Sequence, residues 1–91
     1  MNSKEDKISD YTERDFFKLV YGIYHADPVL YPTDRAHTQG IIKFERLSEH
    51  PLGSDLIYRP NKVGIKDTPQ SVVDAVRQWR IEQGLPGFKE S

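Results

Sequence analysis

Histidine is the side chain most often used for acid–base chemistry or metal binding near neutral pH, and this chain has three, His25, His37 and His50. His37 follows Asp34 by three residues, a spacing that on a helix brings imidazole and carboxylate to one face. Two ligands without a third nearby do not make a metal centre, so the pair reads as a solvated ion pair. His25 falls where a helix should end, a position that favours a cation through the helix dipole. His50 precedes a proline and reads as a local packing or hydrogen-bonding group. With no cysteine in the chain, thiolate metal sites and disulfides are excluded. Gly-rich phosphate loops, the G-x-S-x-G nucleophile elbow and the H-E-x-x-H zinc pattern are all absent. The residues therefore predict no catalytic centre, no metal and no cofactor, and what chemistry they offer is that of recognition.

The stretch best suited to recognition is Glu49-His50-Pro51-Leu52-Gly53-Ser54-Asp55-Leu56-Ile57-Tyr58-Arg59-Pro60. Each proline lacks an N–H and restricts the residue before it, so at most one or two helical turns fit between Pro51 and Pro60. Gly53-Ser54 suits a turn, Ser54 or Asp55 suits a helix cap, and Leu56-Ile57 suits an inward anchor. Asp55, Tyr58 and Arg59 then face outward on a short rigid platform. Tyrosine and arginine are the residue types that dominate protein-binding hot spots. The plain alternative for the same stretch is a loop with one tyrosine packed on the core.

Three longer helices are needed to hold this element. Thr12 is placed to cap the N–H of Asp15, with Tyr11 packing on Phe16, and Phe16, Leu19, Val20 and Ile23 form one apolar face of a helix ending near Tyr24 or His25. Asp27-Pro28 and Tyr31-Pro32 make 26–32 a stiff loop. A second helix from Thr33 to about Leu47 carries two faces at 100° per residue. Ala36, Gly40, Phe44 and Leu47 form its core face. Asp34, His37, Thr38, Ile41 and Glu45 form the other, mixing charge, imidazole and one exposed aliphatic, while Ile42 falls on neither. Gly40 costs this helix about 1 kcal/mol against alanine, so it either admits a close neighbour or leaves the helix loose. After a polar loop over 61–67, Thr68-Pro69 starts a last helix as N-cap and first residue. Val72, Val73, Val76 and Trp79 form its buried face, Arg77 and Arg80 sit near its negative end, and Gly84 with Pro86 stops it. Phe88-Lys89 folds back over the core.

Ninety-one residues predict one domain over 1–91 with a single modest core, preceded by a frayed arm over 1–7. Thirteen basic residues face fourteen acidic ones, for a net charge of -1, so no global field draws the chain to nucleic acid or to an anionic membrane. No stretch has the apolar length of a bilayer span and the first residues form no secretory signal, which makes the cytoplasm the expected location. Layer packing of three amphipathic helices and one short one gives an all-α antiparallel bundle.

Glu49-His50-Pro51-x-Gly53-Ser54-Asp55-Leu56-Ile57-Tyr58, preceded by Ile8-Ser9-Asp10-Tyr11-Thr12-Glu13 and followed by Trp79-Arg80 and Gly84-x-Pro86-Gly87-Phe88-Lys89, resembles the colicin and pyocin DNase immunity proteins. Four short motifs in order cover nearly the whole chain. The resemblance implies a distorted antiparallel four-helix bundle with a short third helix. It implies a bacteriocin immunity protein, not an enzyme, whose partner is the nuclease domain of a cognate colicin- or pyocin-like toxin of the H-N-H type, bound as a 1:1 heterodimer beside the metal centre. The affinity class, among the tightest complexes known, comes from that resemblance alone. Ser54, Asp55, Tyr58, Arg59 and Pro60 match the toxin-binding surface shared in the family. Asp34, His37, Thr38, Ile41 and Glu45 match the variable helix that selects the toxin.

The chain departs from the family pattern in three places. It is less acidic than many members, its 26–32 loop is a few residues longer, and Arg59 stands where a second tyrosine is common. A reading from a different class is a small helical nucleic-acid-binding regulator using Lys66, Arg77 and Arg80, against which the near-neutral charge argues.

Overall fold

The computed structural model describes residues 7–89; residues 1–6 of the predicted arm lie outside the described residues. Lys7 is tied down, its N–H 3.2 Å from Asp10 Oδ2, and opens a single 3-10 turn over Ile8–Asp10 that buries Ile8. Among the described residues every regular element is helical: α1 (Glu13–His25), α2 (Asp34–Ser48), α3 (Asp55–Tyr58), α4 (Pro60–Val63) and α5 (Pro69–Glu82). The all-α expectation holds, with α3 as the short third helix.

Helices α1 and α5 start where their predicted caps put them, and α2 starts one residue after Thr33, which caps it instead of opening it. Thr12, Thr33 and Thr68 each accept the N–H three residues on, from Asp15, Ala36 and Ser71. That bond satisfies one of the donors that a helix N-terminus leaves unpaired. Helix α1 packs on both α2 and α5, and α3 packs on α5. Phe16 and Val20 of α1, Phe44 and Leu47 of α2, Leu56 of α3 and Val72, Val73 and Val76 of α5 form one buried cluster. Phe16 stands at its centre, with its ring 5.6 Å from Phe44 and 5.3 Å from Phe88. The C-terminal segment does fold back, Lys89 N–H donating to Tyr11 O at 2.8 Å.

Two expectations are corrected. The stretch 61–67 is not wholly loop, because Pro60 at a first helical position, where its missing N–H costs nothing, starts α4. On α5 the buried face continues to Arg80, 4% exposed, whereas Trp79 is half-buried with its ring 4.9 Å from His50. Arg80 occupies a core position at helical spacing from Val73 and Val76 because carbonyls there need donors. Its Nε donates to Pro86 O at 2.8 Å, and its Nη1 donates to Ser48 O at 3.0 Å, Leu47 O at 3.4 Å and Glu49 Oε1 at 3.1 Å. One guanidinium thus closes the C-terminal end of α2 and fastens the chain beyond α5.

Candidate functional site

The path from α2 to α3 is short and heavily bonded. Glu49 ends α2 in the left-handed region at φ 57°, and its N–H donates to Glu45 O. Ser48 is buried, and its Oγ accepts the His50 N–H at 3.3 Å. His50 Nδ1 in turn accepts the Leu52 N–H at 3.1 Å, which fixes the tautomer with the proton on the other nitrogen. Burial lowers the pKa of His50 below its ordinary 6.5, in keeping with a neutral ring held as an acceptor. Gly53 follows at φ 52°, a backbone angle that favours glycine, and a Cβ there would lie 2.9 Å from Glu45 Oε2, so a larger residue would push that carboxylate aside.

The cap of α3 corrects the expectation. Neither the Ser54 nor the Asp55 side chain caps it. Instead the Ser54 N–H donates to Glu45 Oε2 at 3.2 Å, so a carboxylate from α2 takes up the exposed donor. Glu45 belongs to the second face of α2, and this bond joins that face to the start of α3. Backbone bonds from Ile57 and Tyr58 to Ser54 O and from Arg59 to Asp55 O complete the turn. Below it Leu56 and Ile57 are buried, as predicted.

What this turn presents is unpartnered. Among the described residues the side chains of Asp55, Tyr58 and Arg59 make no hydrogen bond, ion pair or ring contact within the chain. Asp55 is half-buried, Arg59 is exposed and Tyr58 is 52% exposed. Partial burial raises the Tyr58 pKa, so the phenol is a neutral donor at physiological pH. Asp55 and Tyr58, three residues apart in one turn, lie on one face. Pro60 is buried; it turns the chain into α4 and its ring faces the interior.

Of the second face of α2, Asp34, Thr38 and Glu45 are exposed. Ile41 is half-buried against the core, and the fully presented aliphatic is its neighbour Ile42, 45% exposed. The predicted His37–Asp34 pair is replaced by an inward contact. His37 is half-buried with Nε2 3.0 Å from Ile23 O, because α1 passes beside it. The face runs about 16 Å from Asp34 to Glu45 at 1.5 Å per residue, and its Glu45 end abuts α3. Among the described residues no group of acidic or histidine side chains is arranged to hold a metal. The basic stripe of the nucleic-acid reading does not form either. Arg80 is buried, and Arg77 faces Asp74 at 3.4 Å and Glu13 at 3.9 Å.

Residues 8–82 match the family model described as colicin immunity protein / pyocin immunity protein. The chain belongs to the colicin/pyocin immunity protein family. It is 46% identical over 85 residues to the pyocin-S1 and pyocin-S2 immunity proteins of Pseudomonas aeruginosa, covering 93% of this chain and 97% of each relative. Its fold matches a chain of the crystal structure of the mutant nuclease domain of pyocin S8 with its cognate immunity protein, with TM-score 0.83 and 31% identity over 94% of this chain and 100% of that one. It also matches a chain of the pyocin AP41 DNase–immunity complex, with TM-score 0.79 and 31% identity over 96% of this chain and 100% of that one. The pinned α3 turn and the second face of α2 are thus features of a family member. Sequence reasoning missed Arg80, Tyr31 and Gly22. The signal for Arg80 was its position on the buried stripe of α5.

Proposed function

We propose that this chain captures the nuclease domain of a cognate pyocin- or colicin-type bacteriocin, one to one, and keeps it from DNA inside the cell that makes the toxin. The chain carries out no reaction and requires no cofactor, membrane or nucleic acid; it acts by occupancy. The DNA at risk is in the cytoplasm, so capture takes place there. The observation that carries the reading is the α3 turn, a clamped one-turn helix whose Asp55, Tyr58 and Arg59 side chains have no partner among the described residues. A backbone already fixed loses little freedom on association, so the contacts of its side chains convert more efficiently into affinity.

In this reading Asp55 and Tyr58 supply most of the binding energy, Ser54 and Pro60 hold them in place, and the face of Asp34, His37, Thr38, Ile41 and Glu45 selects the toxin. Across 34–60, Asp34, Glu45, Glu49 and Asp55 balance Arg35, Lys43, Arg46 and Arg59. Long-range attraction to a basic nuclease cleft is therefore weak, and short-range fit must carry both strength and choice. Arg59 is exposed and unpaired among the described residues, suited to a carboxylate, a carbonyl or an aromatic face on its own toxin.

Calorimetry with a cognate bacteriocin nuclease domain tests the proposal. Asp55→Ala and Tyr58→Ala should each weaken binding by at least about 2 kcal/mol with the helical fold intact. Arg59→Tyr should weaken cognate binding by more than about tenfold and strengthen binding to nucleases whose immunity proteins carry tyrosine there. Losses below about 0.5 kcal/mol for both alanine variants would place the surface elsewhere.

A further inference from the structure

Between α1 and α2 the chain makes a second rigid feature that the binding site does not use directly. The Asp27 side chain accepts the Val29 N–H at 2.9 Å and its carbonyl accepts the Tyr31 N–H at 2.7 Å. With Pro28 and Pro32 fixing the backbone on either side, the loop 26–32 delivers the Tyr31 ring to one place. That place lies between two helix backbones. A Cβ on Gly22 of α1 would lie 2.9 Å from Tyr31 Cε2, and a Cβ on Gly40 of α2 would lie 2.7 Å from Cε1 and 2.9 Å from the hydroxyl oxygen. Real Cβ atoms do not approach so closely, so Gly40 is a notch for the ring alone and Gly22 a notch for the ring together with Leu30, whose Cδ1 would lie 2.9 Å from the same Cβ. This answers why an interior glycine is kept in α2 at a cost in helix propensity. His37 closes the arrangement, its ring 5.7 Å from Tyr31 at 89° while its Nε2 meets Ile23 O on α1.

The two halves of α2 are therefore held differently. Its C-terminal half is fixed by Phe44 in the core and by the Arg80 bonds to Leu47 and Ser48. Its N-terminal half is spaced from α1 by Tyr31 and His37, both half-buried. Thr38 and Ile41 lie within one turn of His37 and Gly40, so any change in the spacer moves the exposed face above it.

We propose that Tyr31, wedged between Gly22 and Gly40 and edge-on to His37, is a positioning residue for partner choice: it sets the angle at which Asp34, Thr38 and Ile41 meet a nuclease domain. The inference rests on the proposed binding of a nuclease by the α2 face. It gives the loop 26–32 a role in specificity without contact with the partner, and it makes His37 a support for that face.

The test measures affinities of the full chain for the cognate nuclease domain and for those of pyocins S8 and AP41, together with amide hydrogen exchange. Tyr31→Phe keeps the wedge and should hold every affinity within about twofold. Tyr31→Ala should weaken cognate binding at least about tenfold and change the ratio of cognate to non-cognate affinity. Exchange at amides 36–41 should rise at least about tenfold while amides 55–58 are unchanged. Gly40→Ala pushes on the ring from the other side and should shift the same ratio, which provides an independent test where Tyr31→Ala fails to fold. An unchanged ratio in a folded Tyr31→Ala or Gly40→Ala protein overturns the proposal. Asp55→Ala in the same assay separates the two readings. If it loses affinity while Tyr31→Ala leaves the ratio alone, positioning fails and the α3 site stands. If it binds like the parent chain while Tyr31→Ala shifts the ratio, the α3 site fails and positioning stands.

Discussion

Replacing Arg80 should be the most destabilising single change outside the apolar core. The Nε–Pro86 O bond at 2.8 Å and the Nη1–Ser48 O bond at 3.0 Å are well formed, and the 3.4 Å contact to Leu47 O is marginal. Each good bond from a charged donor contributes about 1.5–3 kcal/mol, and Arg80→Ala forfeits two and strands their carbonyls. The ion pair with Glu49 adds little, because that carboxylate is 61% exposed and screened by water. A cavity of about 300 Å³ lined by Ser9, Arg46, Leu47 and Pro86 lies beside the guanidinium, and water from it would rehydrate part of what is stranded. The loss should therefore be about 3–4 kcal/mol, within the roughly 5–14 kcal/mol available to a domain of this size. Arg80→Met keeps the packing of the stem and should lose nearly as much. Arg80→Lys places one ammonium where two divergent donors stood, and should lose about half. Urea unfolding at constant m-value reads all three. A loss below about 1 kcal/mol for Arg80→Ala, or a lysine variant equal to the parent chain, would refute the reasoning.

Further outcomes follow from the same bonds. Glu45→Gln keeps an acceptor for the Ser54 N–H and should keep the exchange protection of that amide, whereas Glu45→Ala should lose that protection together with about 1–2 kcal/mol of binding. For His50, both folded and unfolded states hold a neutral ring above its ordinary pKa of 6.5; as pH falls through that value the unfolded chain binds a proton that burial denies the folded ring, so stability falls. Urea midpoints between about pH 7.5 and pH 5 should show the fall, and His50→Leu should flatten it. Gly40→Ala should destabilise the parent chain by crowding Tyr31, yet stabilise a Tyr31→Ala background by about 1 kcal/mol through helix propensity alone. Thermal unfolding of the double-mutant cycle checks that reversal of sign.

Helix starts, the apolar stripes and the pinned turn were legible because each is written in adjacent residues. Thr12, Thr33 and Thr68 cap within three residues, and Phe16, Val20 and Phe44 lie on stripes of period 3.6. What was not legible depends on pairs distant in the chain. The cap of α3 comes from Glu45, nine residues upstream, and not from the serine beside it. Gly22 and Gly40 make sense only once Tyr31 is seen between them. Arg80 looked like a helix-end charge, although its spacing from Val73 and Val76 already put it on the buried side. The presence of carbonyl acceptors 32 and 33 residues away is a tertiary fact. Among the residues expected to bind, helical projection placed Ile41 and His37 outward because it takes no account of a neighbouring helix. The carbonyl of Ile23 on α1 and the Tyr31 ring draw His37 partly inward, and Ile41 packs against the core cluster.

These distant pairs share a direction. Arg80 on α5 holds the carbonyls of Leu47 and Ser48, Ser48 Oγ holds the His50 N–H, His50 Nδ1 holds the Leu52 N–H, and Glu45 holds the Ser54 N–H. Two lines of bonds, one through Ser48 and His50 to Leu52 and one from Glu45 to Ser54, lead from the long helices to α3, and among the described residues the side chains of Asp55, Tyr58 and Arg59 add none of their own. A four-residue helix has too few internal bonds to be stable on its own, so its order is borrowed from α5 and α2 through this relay. A turn whose backbone is ordered before its partner arrives avoids about 1–2 kcal/mol for each residue that binding would otherwise have to fix, while the three exposed side chains settle only on contact. The buried arginine therefore serves the site as well as the fold: it helps to fix the backbone of a one-turn helix from which a carboxylate, a phenol and a guanidinium reach toward a complementary surface.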